Sequence, residues 1–182
     1  MLLRGPNIFR TYYKNEEATR ETLVDGWLHT GDLGRVDEDG FLFITGRKKD
    51  IIITAGGKNI TPANLENGLK QNRWISQAVV VGDRRPYLVA LITLDPDEVP
   101  AFAQQHGLEP GDVAASEEIR AEVQKAVDEV NAKVGRVEQI KKFAILPEDL
   151  SQATGELTPT LKVKRNVVNE KFAGVVEALY AG

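Results

Sequence analysis

The 182-residue sequence contains no cysteine and only two histidines, His29 and His106. The first absence excludes disulfide frameworks, thiol nucleophiles and cysteine-ligated zinc; the second argues against a histidine-rich metal site. Aromatic residues are sparse at 7%, and no apolar run approaches the roughly 20 residues of a membrane span. The N-terminus lacks the basic and apolar regions of a signal peptide. Positive charge is not in excess either, since 23 Lys and Arg face 27 Asp and Glu for a net charge of −4. That balance speaks against a nucleic-acid backbone as the main partner. What is present is ordinary for a folded chain, with 42% hydrophobic and 27% charged residues. The expectation is a cytoplasmic protein with no metal site and no transmembrane segment, peripheral membrane contact being left open. Its length suits one domain, or one domain plus a piece of another.

Hydrophobic patterning gives a coarse α+β plan. In residues 1–30 nothing alternates long enough to make its own sheet, so this segment is expected to lean on something else. Asp39–Gly40 between two short apolar runs predicts a hairpin, because a tight turn needs positive φ. Ile51–Ile53 reads as a brief buried strand, and Thr61–Pro62 as a helix start with a hydroxyl cap and proline in the first turn. Residues 78–81 and 88–94 are β-rich and apolar on both faces, which places them inside a sheet covered on each side. From Ser116 a helix puts Ile119, Val123, Ala126, Val127, Val130 and Val134 on one face, supports Glu129 against Lys133, and stops at Gly135. Residues 142–146 form a further strand and 151–160 a polar loop. One last helix over 166–179 buries Val168, Phe172, Val175 and Leu179.

Three places carry chemistry beyond scaffolding. Thr30–Gly31–Asp32 follows apolar Trp27–Leu28 and presents a carboxylate able to accept two hydrogen bonds from vicinal hydroxyls. Gly56–Gly57 lies just past Arg47–Lys48–Lys49–Asp50, and paired glycines let main chain approach a ligand. Lys162, Lys164 and Arg165 crowd the start of the last helix, where an anion would relieve their repulsion. Taken singly, each has a plainer reading: an Asp closing its own loop, an ordinary turn, a solvated basic face.

Together the elements are more specific. Gly26–Trp27–Leu28–His29–Thr30–Gly31–Asp32–Leu33–Gly34, Asp39–Gly40–Phe41, Gly46–Arg47–Lys48–Lys49–Asp50–Ile51–Ile52, Gly56–Gly57–Lys58–Asn59–Ile60 and Leu157–Thr158–Pro159–Thr160–Leu161–Lys162 occur in that order. This series resembles the adenylate-forming ligases: acyl-CoA synthetases, adenylation domains of peptide synthetases, and luciferases. The likeness runs over essentially the whole chain and is nearest to the long-chain fatty acid–CoA ligase branch. Leu161 stands where other branches carry the glycine of a Gly-Lys pair.

The resemblance implies an α+β C-terminal domain with a hairpin near a hinge and a short central, mostly antiparallel sheet flanked by helices. It implies that residues 1–45 end a large N-terminal domain, 46–49 form the hinge, and 50–182 form a mobile C-terminal domain. The implied reaction joins a fatty acid carboxylate to the α-phosphorus of ATP, then transfers the acyl group to coenzyme A. Carried over by position, Asp32 would bind the ribose hydroxyls and Arg47 the same nucleotide. Lys49 would be the hinge residue and Lys162 the catalytic lysine. Gly56, Gly57 and Lys58 would belong to the loop lining the pantetheine tunnel. Mg²⁺ would accompany ATP, held mainly by the large domain, and this chain by itself would be inactive. Two alternatives stay open: another adenylate-forming ligase, acting on an aryl or amino acid, and a non-catalytic module that holds an anionic partner.

Overall fold

The computed structural model describes residues 1–181, which divide into two units between Ile51 and Ile52. In the first unit the elements are β1 (Leu2–Leu3), α1 (Glu16–Thr22), β2 (Leu23–Val24), β3 (Trp27–His29), β4 (Asp32–Val36) and β5 (Leu42–Arg47). Asn15 starts α1 by accepting the Ala18 N–H at 3.0 Å. β1, β3 and β2 make a small antiparallel sheet in that order, so this stretch does form a sheet of its own. Its strands are too short for alternation to show. The missed signal is Asp25–Gly26, which joins β2 to β3 with φ of 50° and 78°, a two-residue hairpin turn. The β4–β5 hairpin matches expectation, and Asp37 Oδ1 accepts the Asp39 and Phe41 N–H groups inside its turn. No residue of this unit is fully buried, and Leu2, Tyr13, Val36 and Phe41 to Ile44 are among its exposed apolar side chains.

The second unit is built around a three-stranded sheet. Its elements are β6 (Ile52–Ile53), β7 (Asn59–Ile60), α2 (Pro62–Leu69), β8 (Ile75–Val81), β9 (Leu88–Leu94), α3 (Val99–His106), α4 (Glu117–Asn131), β10 (Ile140–Ile145), α5 (Arg165–Lys171) and α6 (Ala173–Ala181). β9 is central, antiparallel to β8 and parallel to β10. Alternation along β9 divides the interior in two. Leu88, Ala90, Ile92 and Leu94 join a core with Leu65 and Leu69 of α2, Phe102 of α3, and Ile119, Val123, Val127 and Val130 of α4. Val89 and Leu91 face the other way, onto Leu146, Leu150, Leu157, Val168 and Val176. Both faces of the sheet are therefore covered, as the unbroken apolar runs predict. Each fully buried aliphatic side chain contributes about 1.5–3 kcal/mol of transfer free energy.

Four local expectations are corrected. Ile53 is half exposed, so β6 buries only Ile52. The Thr61 hydroxyl caps nothing; its main-chain oxygen accepts the Asn64 N–H instead. α4 begins at Ser116, whose hydroxyl accepts the Ile119 N–H, but it ends at Asn131, leaving Lys133 and Val134 outside the helix. There the Asn131 amide turns to bond both the N–H and the C=O of Ile140, each at 2.9 Å, and fastens the helix end to β10. The last helix is two helices, broken at Phe172 (φ −105°, ψ 19°) two residues before helix-poor Gly174. Val168 and Val176 are its buried residues, whereas Phe172, Val175 and Leu179 are only partly covered.

Candidate active site

In the first unit, strand pairing brings two of the candidate residues together. Asp32 and Arg47 are register partners at the open end of β4–β5, and Arg47 Nε donates to Asp32 Oδ1 at 3.1 Å. The Thr30 hydroxyl accepts the Asp32 N–H at 3.0 Å, Gly31 takes φ of 75°, and the Gly31 carbonyl accepts the Lys48 N–H at 2.8 Å. Asp32 therefore does not close its own loop; its carboxylate points to a guanidinium across the hairpin. Thr30, Gly31, Arg47, Lys48 and Lys49 line an open cavity of about 490 Å³. Lys48 and Lys49 sit in a single 3₁₀ turn, Lys48–Asp50, directly before the boundary between the units. Such a cationic rim, with the Asp32 carboxylate paired to its Arg47, suits a ligand that carries both phosphate and hydroxyl groups.

The glycine pair lies in the second unit, on the turn between β6 and β7. Gly57 has φ of 77°, its N–H bonds the Thr54 carbonyl at 2.8 Å, and the Thr54 N–H returns to the Lys58 carbonyl at 3.1 Å. Buried Thr54 also accepts the Lys58 N–H through its hydroxyl. The turn is tied to the β8–β9 connection, where the Ala55 N–H reaches the Arg85 carbonyl and Asp83 accepts the Ile53 N–H. Gly56 and Gly57 are left exposed at the tip, and the Lys58 ammonium pairs with Glu138 at 3.3 Å.

Lys162 stands on a narrow main-chain loop ahead of α5. The Lys164 N–H bonds the Glu156 carbonyl at 2.7 Å, Leu157 bridges Val163, and the Thr158 N–H bonds the Lys162 carbonyl at 2.8 Å. The Thr158 hydroxyl accepts the Lys162 N–H, and Leu161 adopts φ of 59° at the tip. The Lys162 side chain is exposed, and its ammonium forms no ion pair among the described residues. The three-cation cluster, however, does not survive. Arg165 turns inward to a double contact with Glu66 of α2, a carboxylate 8% exposed that also accepts the Val80 N–H. A second Arg165 nitrogen reaches the Val80 carbonyl. Arg165 is therefore neither part of an anion-seeking cluster nor a solvated cation, and its partner, 99 positions away in the chain, leaves no local trace in the sequence.

Residues 49–182 match the family model of the AMP-binding enzyme C-terminal domain. The chain belongs to that family. Its sequence is 54% identical to the long-chain-fatty-acid–CoA ligase FadD15 of Mycobacterium tuberculosis over 184 aligned residues, covering 99% of this chain and 31% of the relative. The fold matches that of the adenylation domain of a Segniliparus rugosus carboxylic acid reductase, solved in complex with AMP and a carboxylic acid. There the TM-score is 0.78 at 22% identity, over 99% of this chain and 27% of that one. A Bacillus subtilis o-succinylbenzoate coenzyme A synthetase, solved with AMP, matches with a TM-score of 0.63 at 26% identity, covering 91% and 28% of the two chains. The chain thus spans about a third of the length of the curated relatives it matches. Among the described residues no group of three or more His, Asp and Glu side chains could hold a metal ion, and no helix is long and apolar enough to cross a membrane.

Proposed function

We propose that this chain is the C-terminal part of an ATP-dependent, AMP-forming ligase that joins a long-chain fatty acid to coenzyme A. In the first step a fatty acid carboxylate oxygen attacks the α-phosphorus of ATP, and the bond to pyrophosphate breaks. In the second, the coenzyme A thiol, on losing its proton, attacks the acyl carbonyl and expels AMP. Lys162 is the residue assigned to the first step, its ammonium bridging carboxylate and α-phosphate oxygens. Charge on those oxygens grows toward the transition state, so a cation aimed there stabilises it more than the ground state. A lysine suits this task because it is a point charge on a flexible stem, able to enter and leave with its domain.

Asp32 is assigned to the ribose hydroxyls and Arg47, its ion-pair partner, to the same nucleotide, at the cavity that Arg47 lines with Lys48 and Lys49. The exposed Gly56–Gly57 turn with Lys58 is assigned to the pantetheine arm, where missing side chains leave room for a narrow channel. Gly46 to Lys49 form the hinge between residues 1–45, which complete a larger N-terminal domain, and a mobile domain from residue 50 onward. That placement draws support from the unit boundary a few residues downstream and from the unburied apolar side chains of the first unit. Mg²⁺ would arrive with ATP and be held mainly by the large domain, where it would offset phosphate charge.

The observation that carries the proposal is Lys162 itself: exposed, unpaired among the described residues, and set on a loop whose main chain is fixed by hydrogen bonds. Its test uses the full-length ligase and follows the two half-reactions separately. Lys162→Ala is expected to lower ATP–pyrophosphate exchange by orders of magnitude while sparing thioester formation from supplied acyl-adenylate. The 182-residue chain alone, as a control, is expected to make no acyl-CoA. Equal loss of both half-reactions would remove the role given to Lys162.

A further inference from the structure

Between Ile145 and α5 the chain has no regular element, yet it is fastened repeatedly. Asp149 accepts the Ser76 hydroxyl at 2.7 Å and the hydroxyl of buried Thr93, holding the start of the segment to β8 and β9. Further on lies Glu156, only 1% exposed. Its carboxylate accepts the Ser151 N–H at 3.3 Å and the Thr154 hydroxyl through Oε2, and the Lys171 ammonium through Oε1. Its main-chain carbonyl closes the Lys162 loop by accepting the Lys164 N–H at 2.7 Å. Glu156 is thus the residue at which side-chain anchoring and the base of that loop coincide.

A carboxylate so deeply buried is costly to desolvate, and packed apolar residues could hold a loop with equal stability. What the charged network adds is direction, since each oxygen has fixed donors and the loop has a single seat. Burial acts to raise the pKa of Glu156, but Lys171, Thr154 and the main-chain donors outweigh it and hold the pKa at about 2. The group therefore stays ionised, and paired, at neutral pH.

We infer that Glu156 is a positioning residue for Lys162, fixing the base of the loop from which that ammonium reaches the reacting oxygens. The inference rests on the role proposed above for Lys162. Two residue pairings, Leu157 with Val163 and Thr158 with Lys162, transmit the anchor from Glu156 to the Lys162 backbone. Small displacements of a reacting group cost up to about 100-fold in rate, so loosening this base is felt in adenylation before it is felt in folding.

The experiment measures both half-reactions in the full-length ligase for Glu156→Gln, Lys171→Met, Lys162→Ala and the pair Glu156→Gln/Lys162→Ala. Glu156→Gln is expected to lower ATP–pyrophosphate exchange about 10- to 100-fold, leave thioester formation from supplied acyl-adenylate unchanged, and add nothing once Lys162 is gone. Lys171→Met, which strips the same carboxylate of its cation, is expected to act in the same direction. Unchanged exchange, equal loss in both half-reactions, or a further loss in the Lys162→Ala background would each overturn the inference. So would failure of both Glu156→Gln and Lys171→Met to fold, which assigns the pair to stability alone. Should Lys162→Ala itself fail to lower exchange selectively, the fault lies with the role of Lys162 rather than with its anchor.

Discussion

Leu161 holds a left-handed backbone, φ 59°, a conformation that favours glycine. An L-residue there costs about 1–2 kcal/mol that glycine avoids. The side chain is 64% exposed, so little packing offsets the strain. Leu161→Gly is expected to leave stability unchanged or raise it by up to about 1 kcal/mol, the relief exceeding the added freedom of the unfolded chain. Leu161→Val, branched at Cβ, is expected to lower it by about 1 kcal/mol. Urea unfolding of the chain measures both, and a lower midpoint for Leu161→Gly would contradict the argument. At this scale a motif singles out Asp32, Arg47 and Lys162 as candidates; the structure sets Asp32 against Arg47 and leaves Lys162 exposed. Glu156 left no such trace, because a single carboxylate in a polar loop looks solvated until the fold encloses it.

Among the elements, β8 and β9 were legible because both of their faces are apolar, which only an interior position explains. The parallel partner β10 was not legible as such, since strand direction depends on the path of α3 and α4 rather than on the strand's own residues. Nor was the break at Phe172, because periodicity continues through it and the fault lies in the backbone. α2 offers a test of how tightly these layers meet. A Cβ built on Gly68 would lie 2.8 Å from Val130 Cγ2 of α4, and a β-branched side chain in a helix has little rotamer freedom to yield. Gly68→Ala gains about 1 kcal/mol of helix propensity but costs about 1–3 kcal/mol of overpacking. A net loss on the order of 1 kcal/mol is expected from these two terms, read as a lower urea midpoint; a raised midpoint would mean the layers have slack.

At the scale of the molecule, the two units differ in what holds them. Both cores lie in the second unit, whereas residues 1–51 bury no side chain fully. Brief trypsin digestion of the 182-residue protein is expected to cut after exposed Arg47, Lys48 or Lys49 and to leave a resistant fragment that starts there. Survival of residues 1–47 alongside it would show an unsuspected interior. The motifs lead to an expected hinge at residues 46–49, and the two units divide between Ile51 and Ile52. The sequence could not show that the segment before the boundary forms its own small sheet, because strands of two or three residues carry no period.

The central position of β9 has a consequence for biosynthesis. β8 is available to pair as soon as both strands emerge, but the partner for the opposite edge, β10, is made only after α3 and α4. Until the ribosome has released Ile140 to Ile145, the nascent chain carries a strand apolar but for Thr93 with one open margin, a template for pairing with its neighbours on a polysome. Messages truncated between the codons for Leu94 and Ile140 should therefore yield inclusion bodies rather than soluble fragments.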